Sequence, residues 1–162
     1  MQASGGVIGA LESLPLAAAM RHELWLYPAI EIVHIIGFVV LVGSIAMLDL
    51  RLLGLSRALP VTVLSRHILP WTLGALILIV PTGLLMFTAH AGDFVSNRAF
   101  QVKLLLILCA AVNAGLFHTG VKRTIQLWDR DAAPPARVRM HAGASLLLWF
   151  GVITCGRLLA YV

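Results

Sequence analysis

Residues 26–48 read LYPAIEIVHIIGFVVLVGSIAML, and this stretch decides the fold. It carries one formal charge, Glu31, and one histidine, His34, in an otherwise almost wholly apolar run. A bilayer core about 30 Å thick needs about 20 helical residues to cross it. The run is therefore long enough to span. Three similar runs follow, at about 67–89, 100–119 and 140–161. In hydrocarbon every backbone N–H and C=O must be satisfied within the segment, so helix is the expected conformation. Pro70 is expected in the first turn of the second helix, where proline is tolerated. Pro81 falls mid-helix and is expected to kink it. The expected fold is all-α: an integral membrane four-helix bundle over 26–162, preceded by a short interfacial helix within 1–25.

Composition supports the same class. The chain has 162 residues, of which 60% are apolar and 12% charged, and its mean hydropathy is +0.94. A soluble domain is typically ~25% charged. Half that charge cannot cover a water-soluble surface. An ordinary soluble enzyme, a disordered chain and a free nucleic-acid-binding module are all excluded. The 12 Lys and Arg against 7 Asp and Glu are scattered between apolar runs, so no nucleic acid is expected as a partner. Cys109 and Cys155 sit inside apolar runs without CxxC or CxxCH spacing, and read as packing residues.

The loops predict an orientation. The first connection carries Arg51, Arg57 and Arg66, and the last carries Lys122, Arg123, Arg130, Arg137 and Arg139. The other side has Arg21 and Arg98, with Lys103 and Arg157 near helix ends. The positive-inside rule then puts both termini outside, in the periplasm if the membrane is a bacterial inner membrane. The segment 7–20 has no basic stretch before Arg21, unlike a signal peptide. It is expected to lie at the outer interface with Leu11, Leu14 and Ala18 on one face. Trp25, Tyr27 and Tyr161 mark the interface.

Ionisable side chains at membrane depth are costly and are functional candidates by default. Six histidines are present. His22 reads as a surface residue. The other five fall into two layers. His34 and His90, with Lys103 and Arg157, form an outer layer. His67, His118 and His141 form an inner one. At about 1.5 Å per residue the layers are ~22 Å apart from Lys103 to His118, and these two return to nearly the same helix face. Between them that face carries Ile107, Ala110, Ala111, Ala114 and Gly115. On the first helix His34, Gly37, Leu41 and Ser44 share a stripe. Small residues beneath a histidine leave room for a flat macrocycle, and equally let helices pack closely. Asn113 reads as interhelical glue.

Imidazole is a natural axial ligand for haem iron, and helical bundle cores hold such sites. With no HExxH and no cysteine cluster, structural zinc is disfavoured. The expected cofactor is one or two b haems. The outer one would use His34 with Lys103 or His90, the inner one two of His67, His118 and His141. Arg157 would pair with a haem propionate or Glu31, or extend to the interface. Quinone is the expected lipid-phase partner, and a homo-oligomer or a larger complex the expected assembly.

Several stretches resemble a known family. Ile32-Val-His-Ile-Ile-Gly37 followed by Asp49-Leu-Arg51 is similar to the first helix of HemJ-type protoporphyrinogen oxidases and copper-resistance D membrane proteins. Arg66 through Pro70 with Pro81-Thr-Gly-Leu84 is similar to their second helix. Phe100-Gln-Val-Lys-Leu-Leu105 with Asn113 is similar to their third. The resemblance covers roughly residues 30–160. It implies a b haem held by His34 and Lys103. The aromatic and arginine set of the oxidase site is not matched, and His67, His118 and His141 lie outside the pattern. The ending Gly156-Arg157 with Ala160-Tyr161 looks more like bacterial relatives of that group. A membrane cytochrome b is therefore the leading expectation. A porphyrinogen oxidase and a non-catalytic anchor or copper-handling subunit are the alternatives.

Overall fold

The computed structural model describes residues 6–161, without the side chains of 121–123, so Lys122 and Arg123 of the basic loop lie outside the described side chains. All regular structure in it is helical. The order is α1 (Val7–Glu12), α2 (Pro15–His22), α3 (Leu26–Leu53), α4 (Val61–Ala89), α5 (Ala91–Ser96), α6 (Arg98–Leu116) and α7 (Ala136–Leu158). A π-type turn, Phe117–Val121, and a 3-10 segment, Lys122–Leu127, follow α6. Four helices, the third of them prolonged by the π-type turn, are long and apolar enough to cross a membrane. This is the multi-pass fold that the apolar runs predict.

The boundaries differ from expectation in informative ways. The N-terminal segment is two short helices, because Pro15 occupies the first position of a new one. α4 begins at Val61 after Pro60, so Pro70 lies well inside the helix and not in its first turn. α4 continues through both Pro70 and Pro81. α3 runs on to Leu53 and stops at Gly54, whose φ of 110° is the left-handed value that glycine adopts without strain. Leu55 N–H then bonds to Leu50 O at 3.1 Å, closing a Schellman-type cap. α6 starts where the Asn97 side chain accepts from the N–H groups of Ala99 and Phe100.

α3 packs against α4 and α7, and α7 packs against α6. The lateral order is α4–α3–α7–α6. The outermost pair, α4 and α6, do not pack along their length. They meet at one end, where Phe87, Phe94 and Phe100 stack with ring centroids 5.2–6.3 Å apart. Large apolar side chains cover the outside, among them Ile77 at 73% and Leu147 at 74% exposure. Water would penalise such a belt, whereas lipid matches it.

The two ends of the bundle are built differently. At the loop end, Leu52, Val61, Trp128, Val138 and Ala142 form the buried core cluster. Arg51, only 2% exposed, ties three strands of chain together there. Its Nε donates to Leu59 O at 2.7 Å, and its Nη2 donates to Asp129 O at 3.0 Å and Arg57 O at 3.2 Å. The Asp129 carboxylate accepts from the backbone N–H and the hydroxyl of Thr62, both at 2.8 Å. At the termini end, Ala17 and Met20 of α2 are buried. Arg21 donates to Ala89 O and Glu12 O, and Gly92 N–H donates to the Glu12 carboxylate at 2.8 Å.

Candidate functional site

His34 sits eight residues into α3, about 12 Å along its axis. Its face is the stripe of Gly37, Leu41 and Ser44, and Gly37 and Leu41 are indeed buried. Gly37 is where α4 comes closest, since a Cβ there would lie 3.0 Å from Ile79 and 3.3 Å from Leu78. That close approach carries α4 past His34 one helical turn nearer the termini. There the imidazole rests on Gly83, whose absent Cβ would meet Cε1 of the ring at 3.1 Å. A side chain at 83 would displace the ring.

The hydrogen bonding of this ring fixes its chemistry. His34 Nδ1 is 2.9 Å from Thr82 Oγ1. The Thr82 hydroxyl donates its only proton to Leu78 O, at 2.6 Å. With that proton directed to Leu78 O the hydroxyl serves as acceptor for His34, an assignment that places the ring hydrogen on Nδ1. In the neutral ring Nε2 then bears the lone pair. An imidazole oriented through Nδ1–H with a bare Nε2 is the form that ligates metals. Thr82 itself is buried. In the sequence Thr82 and Gly83 stand out only as part of the stretch Pro81-Thr-Gly-Leu84. A hydroxyl and a glycine together after a helical proline were the available signal.

Lys103, half-buried on α6, lies within electrostatic range of His34. Its Nζ is 3.8 Å from where a Cβ on Gly156 would stand, and Cys155 is its other neighbour on α7. His34 from α3, Thr82 and Gly83 from α4, Lys103 from α6 and Gly156 from α7 thus come together in the termini half of the bundle.

The remaining predicted residues are placed apart from this group. His90 caps α4, edge-on to Tyr27 at 5.9 Å between ring centroids and 3.8 Å from Asp93. Arg157 is exposed, bonded to the Tyr161 hydroxyl with its guanidinium 4.9 Å over that ring. At the loop end, His67 is exposed and lines a shallow cleft with Thr62, Val63 and Arg66. His118 is exposed in the π-type turn, edge-on to Phe117. His141 is clamped by Asn113: Nδ2 of the amide donates to His141 O at 3.0 Å, and Oδ1 stands 2.7 Å from His141 Nδ1. Asn113 is the glue between α6 and α7 that its depth suggested. Among the described residues no hydrogen bond or ring contact joins the three inner histidines to one another, and no cluster of three or more His, Cys, Asp or Glu side chains is poised for a metal ion.

The shared face expected from Lys103 to His118 is corrected. The inward line of α6 is Lys103, Leu106, Ala110, Asn113 and Phe117, whereas Ile107, Ala111, Ala114 and Gly115 are exposed. At about 100° per residue, His118 lies roughly 100° from the centre of that line. Among the described residues nothing stands within 4 Å of a Cβ placed on Gly115, so its smallness serves no contact with them.

The geometry of the site covers the segment on which a family model matches, residues 26–162. The chain belongs to DUF6644, a family of unknown function. No curated protein and no solved structure matches it. The match to DUF6644 begins at the first residue of α3, so all four spans and every member of the His34 group lie inside the DUF6644 region, while α1 and α2 precede it.

Proposed function

We propose that this protein is a membrane cytochrome b that would carry one haem in the termini half of its bundle, held by His34 and Lys103. The observation that carries the reading is the tautomer of His34. Its Nδ1–H is committed to Thr82 and its Nε2 lone pair is available. A half-buried imidazole held this way is poised to donate to a metal, while a merely structural histidine in lipid would be expected to use both nitrogens.

The donor set fits a b haem. There is an imidazole, an amine on a neighbouring helix, and glycine beneath each, with no thiol pair for a thioether link. A bound haem would supply one-electron redox chemistry. The chain's own part is positional. Thr82 holds the imidazole plane, Gly83 lets it lie flat against α4, and Gly156 admits the lysine stem. Arg157, at the same end, is the cation suited to a propionate. Quinone within the lipid is the proposed redox partner. The charge of the loops supports a bacterial inner membrane with both termini periplasmic. Only one haem is proposed, because the inner histidines do not face one another.

The pairing of a first-helix histidine with a third-helix lysine also favours a second reading, a porphyrinogen oxidase like the HemJ-type proteins that the sequence resembles. Turnover with a porphyrinogen separates the two. The shared haem is tested by a pyridine haemochrome count and a reduced-minus-oxidised spectrum on protein purified after haem-replete expression. One b haem per chain is expected, lost in His34→Ala and retained in His67→Ala and His118→Ala. A colourless wild-type protein, or full colour in His34→Ala, rejects the haem.

A further inference from the structure

A second ionisable group lies deep in the bundle, away from His34. Asp49 is in the last third of α3 and only 6% exposed. The Ser145 hydroxyl on α7, itself buried, faces it. Its Oδ2 is shielded from outside and has no hydrogen-bond partner. No ion pair reaches it among the described residues. The nearby cation in sequence, Arg51, is two residues on, and side chains at that spacing point to opposite sides of a helix. Arg51 directs Nε and Nη2 to the carbonyls of Leu59, Arg57 and Asp129, and its buried Nη1, like Asp49 Oδ2, has no hydrogen-bond partner. Among the described side chains the other elements offer no counter-charge either. His141 on α7 lies one turn before Ser145 and is clamped by Asn113. On α4, Arg66 and His67 are exposed, while Leu64 and Ile68 are the buried side chains at that end.

An ionised carboxylate without a partner in such surroundings carries a desolvation cost that one serine hydroxyl cannot offset. A carboxylic acid needs far less. It is neutral, and its O–H supplies a donor that a carboxylate lacks. Of the seven carboxylate side chains in the chain, Asp49 alone is buried.

We propose that Asp49 is a proton-binding site within the membrane bundle, its carboxyl group carried as the neutral acid and hydrogen-bonded across the α3–α7 contact to Ser145. The ligand of this site is a proton. The site lies about 22 Å along α3 from His34, so the proposal stands whether or not a haem is bound.

Infrared spectroscopy of the full-length protein in liposomes at neutral pH tests it. The expected result is a protonated-carboxyl C=O stretch that moves on exchange into deuterated water and is absent from Asp49→Asn. Ser145→Ala should keep the band and shift its frequency, because a hydrogen bond to the acid is lost. This second variant leaves the acid in place and serves if Asp49→Asn does not fold. Absence of the band from the wild type overturns the proposal. So does a band that persists in Asp49→Asn, or one that Ser145→Ala leaves unmoved. Loss of haem in His34→Ala should leave the band intact, which keeps this test separate from that of the cytochrome reading.

Discussion

The loop end and the termini half of this bundle use polar side chains in opposite ways. At the loop end Arg51 aims its donors at backbone carbonyls from two connections, and Trp128 is folded under them. Nε and Nη2 of Arg51 are consumed in holding the chain together. In the termini half the His34 ring is bonded to Thr82 through Nδ1, and glycines rather than bulky side chains stand beside His34 and Lys103. There the polar groups are positioned with capacity left over. Burial alone therefore does not identify function in a membrane bundle. The deepest cation, Arg51, is structural, and the half-buried histidine is the one with chemistry in reserve.

The largest expected effect breaks the loop end. Arg51→Ala leaves three carbonyls without their charged donor, and hydrogen bonds to charged groups are worth about 1.5–3 kcal/mol each. The loss of stability should be at least ~3 kcal/mol, read as a fall in the thermal unfolding midpoint in detergent. Unchanged stability would mean that the loops hold without it. Next comes Thr82→Val, which keeps the shape and removes the acceptor for His34 Nδ1–H. Loss of such an outer partner typically weakens metal binding by about 10–100-fold. Haem occupancy should drop, or the reduction potential shift, with little change in unfolding temperature. A variant with wild-type occupancy and potential would show that Thr82 does not set the tautomer.

The four spans were legible because lipid imposes one rule on every residue of a crossing segment. Length and apolarity suffice to find them. The connections were not. The segment after α6 carries Asp131 and two prolines, a locally linker-like pattern, yet it buries Trp128 and feeds a carbonyl to Arg51. Those contacts depend on which loops the fold brings together, and no local pattern encodes that. His34 stood out by depth alone. Its neighbour Thr82 did not, because a threonine in a membrane helix ordinarily satisfies itself on the preceding turn. Thr82 does that with Leu78 O and serves His34 as well. Asp49 was in plain view at the end of the first apolar run, but beside Arg51 it reads as the polar end of a helix. For the inner histidines, equal depth on three helices says nothing about which way each faces.

The helix faces supply the finest test of the comparison, through two glycines of the α6–α7 hairpin. A Cβ on Gly151 would stand 2.9 Å from Leu106 Cδ1, so Gly151→Ala must push that leucine aside. Overpacking of this kind costs about 1–3 kcal/mol, toward the low end where a flexible side-chain tip can yield. Gly115 meets nothing within 4 Å, and alanine there gains helix propensity worth up to about 1 kcal/mol in water. Gly115→Ala should therefore be neutral or slightly stabilising in detergent unfolding, while Gly151→Ala lowers the midpoint. If Gly115→Ala were the damaging one, the small residues of that face would be making close contacts beyond this chain. The face of α6 now assigned to lipid would then have to be reassigned to a partner helix, either a second copy or another subunit.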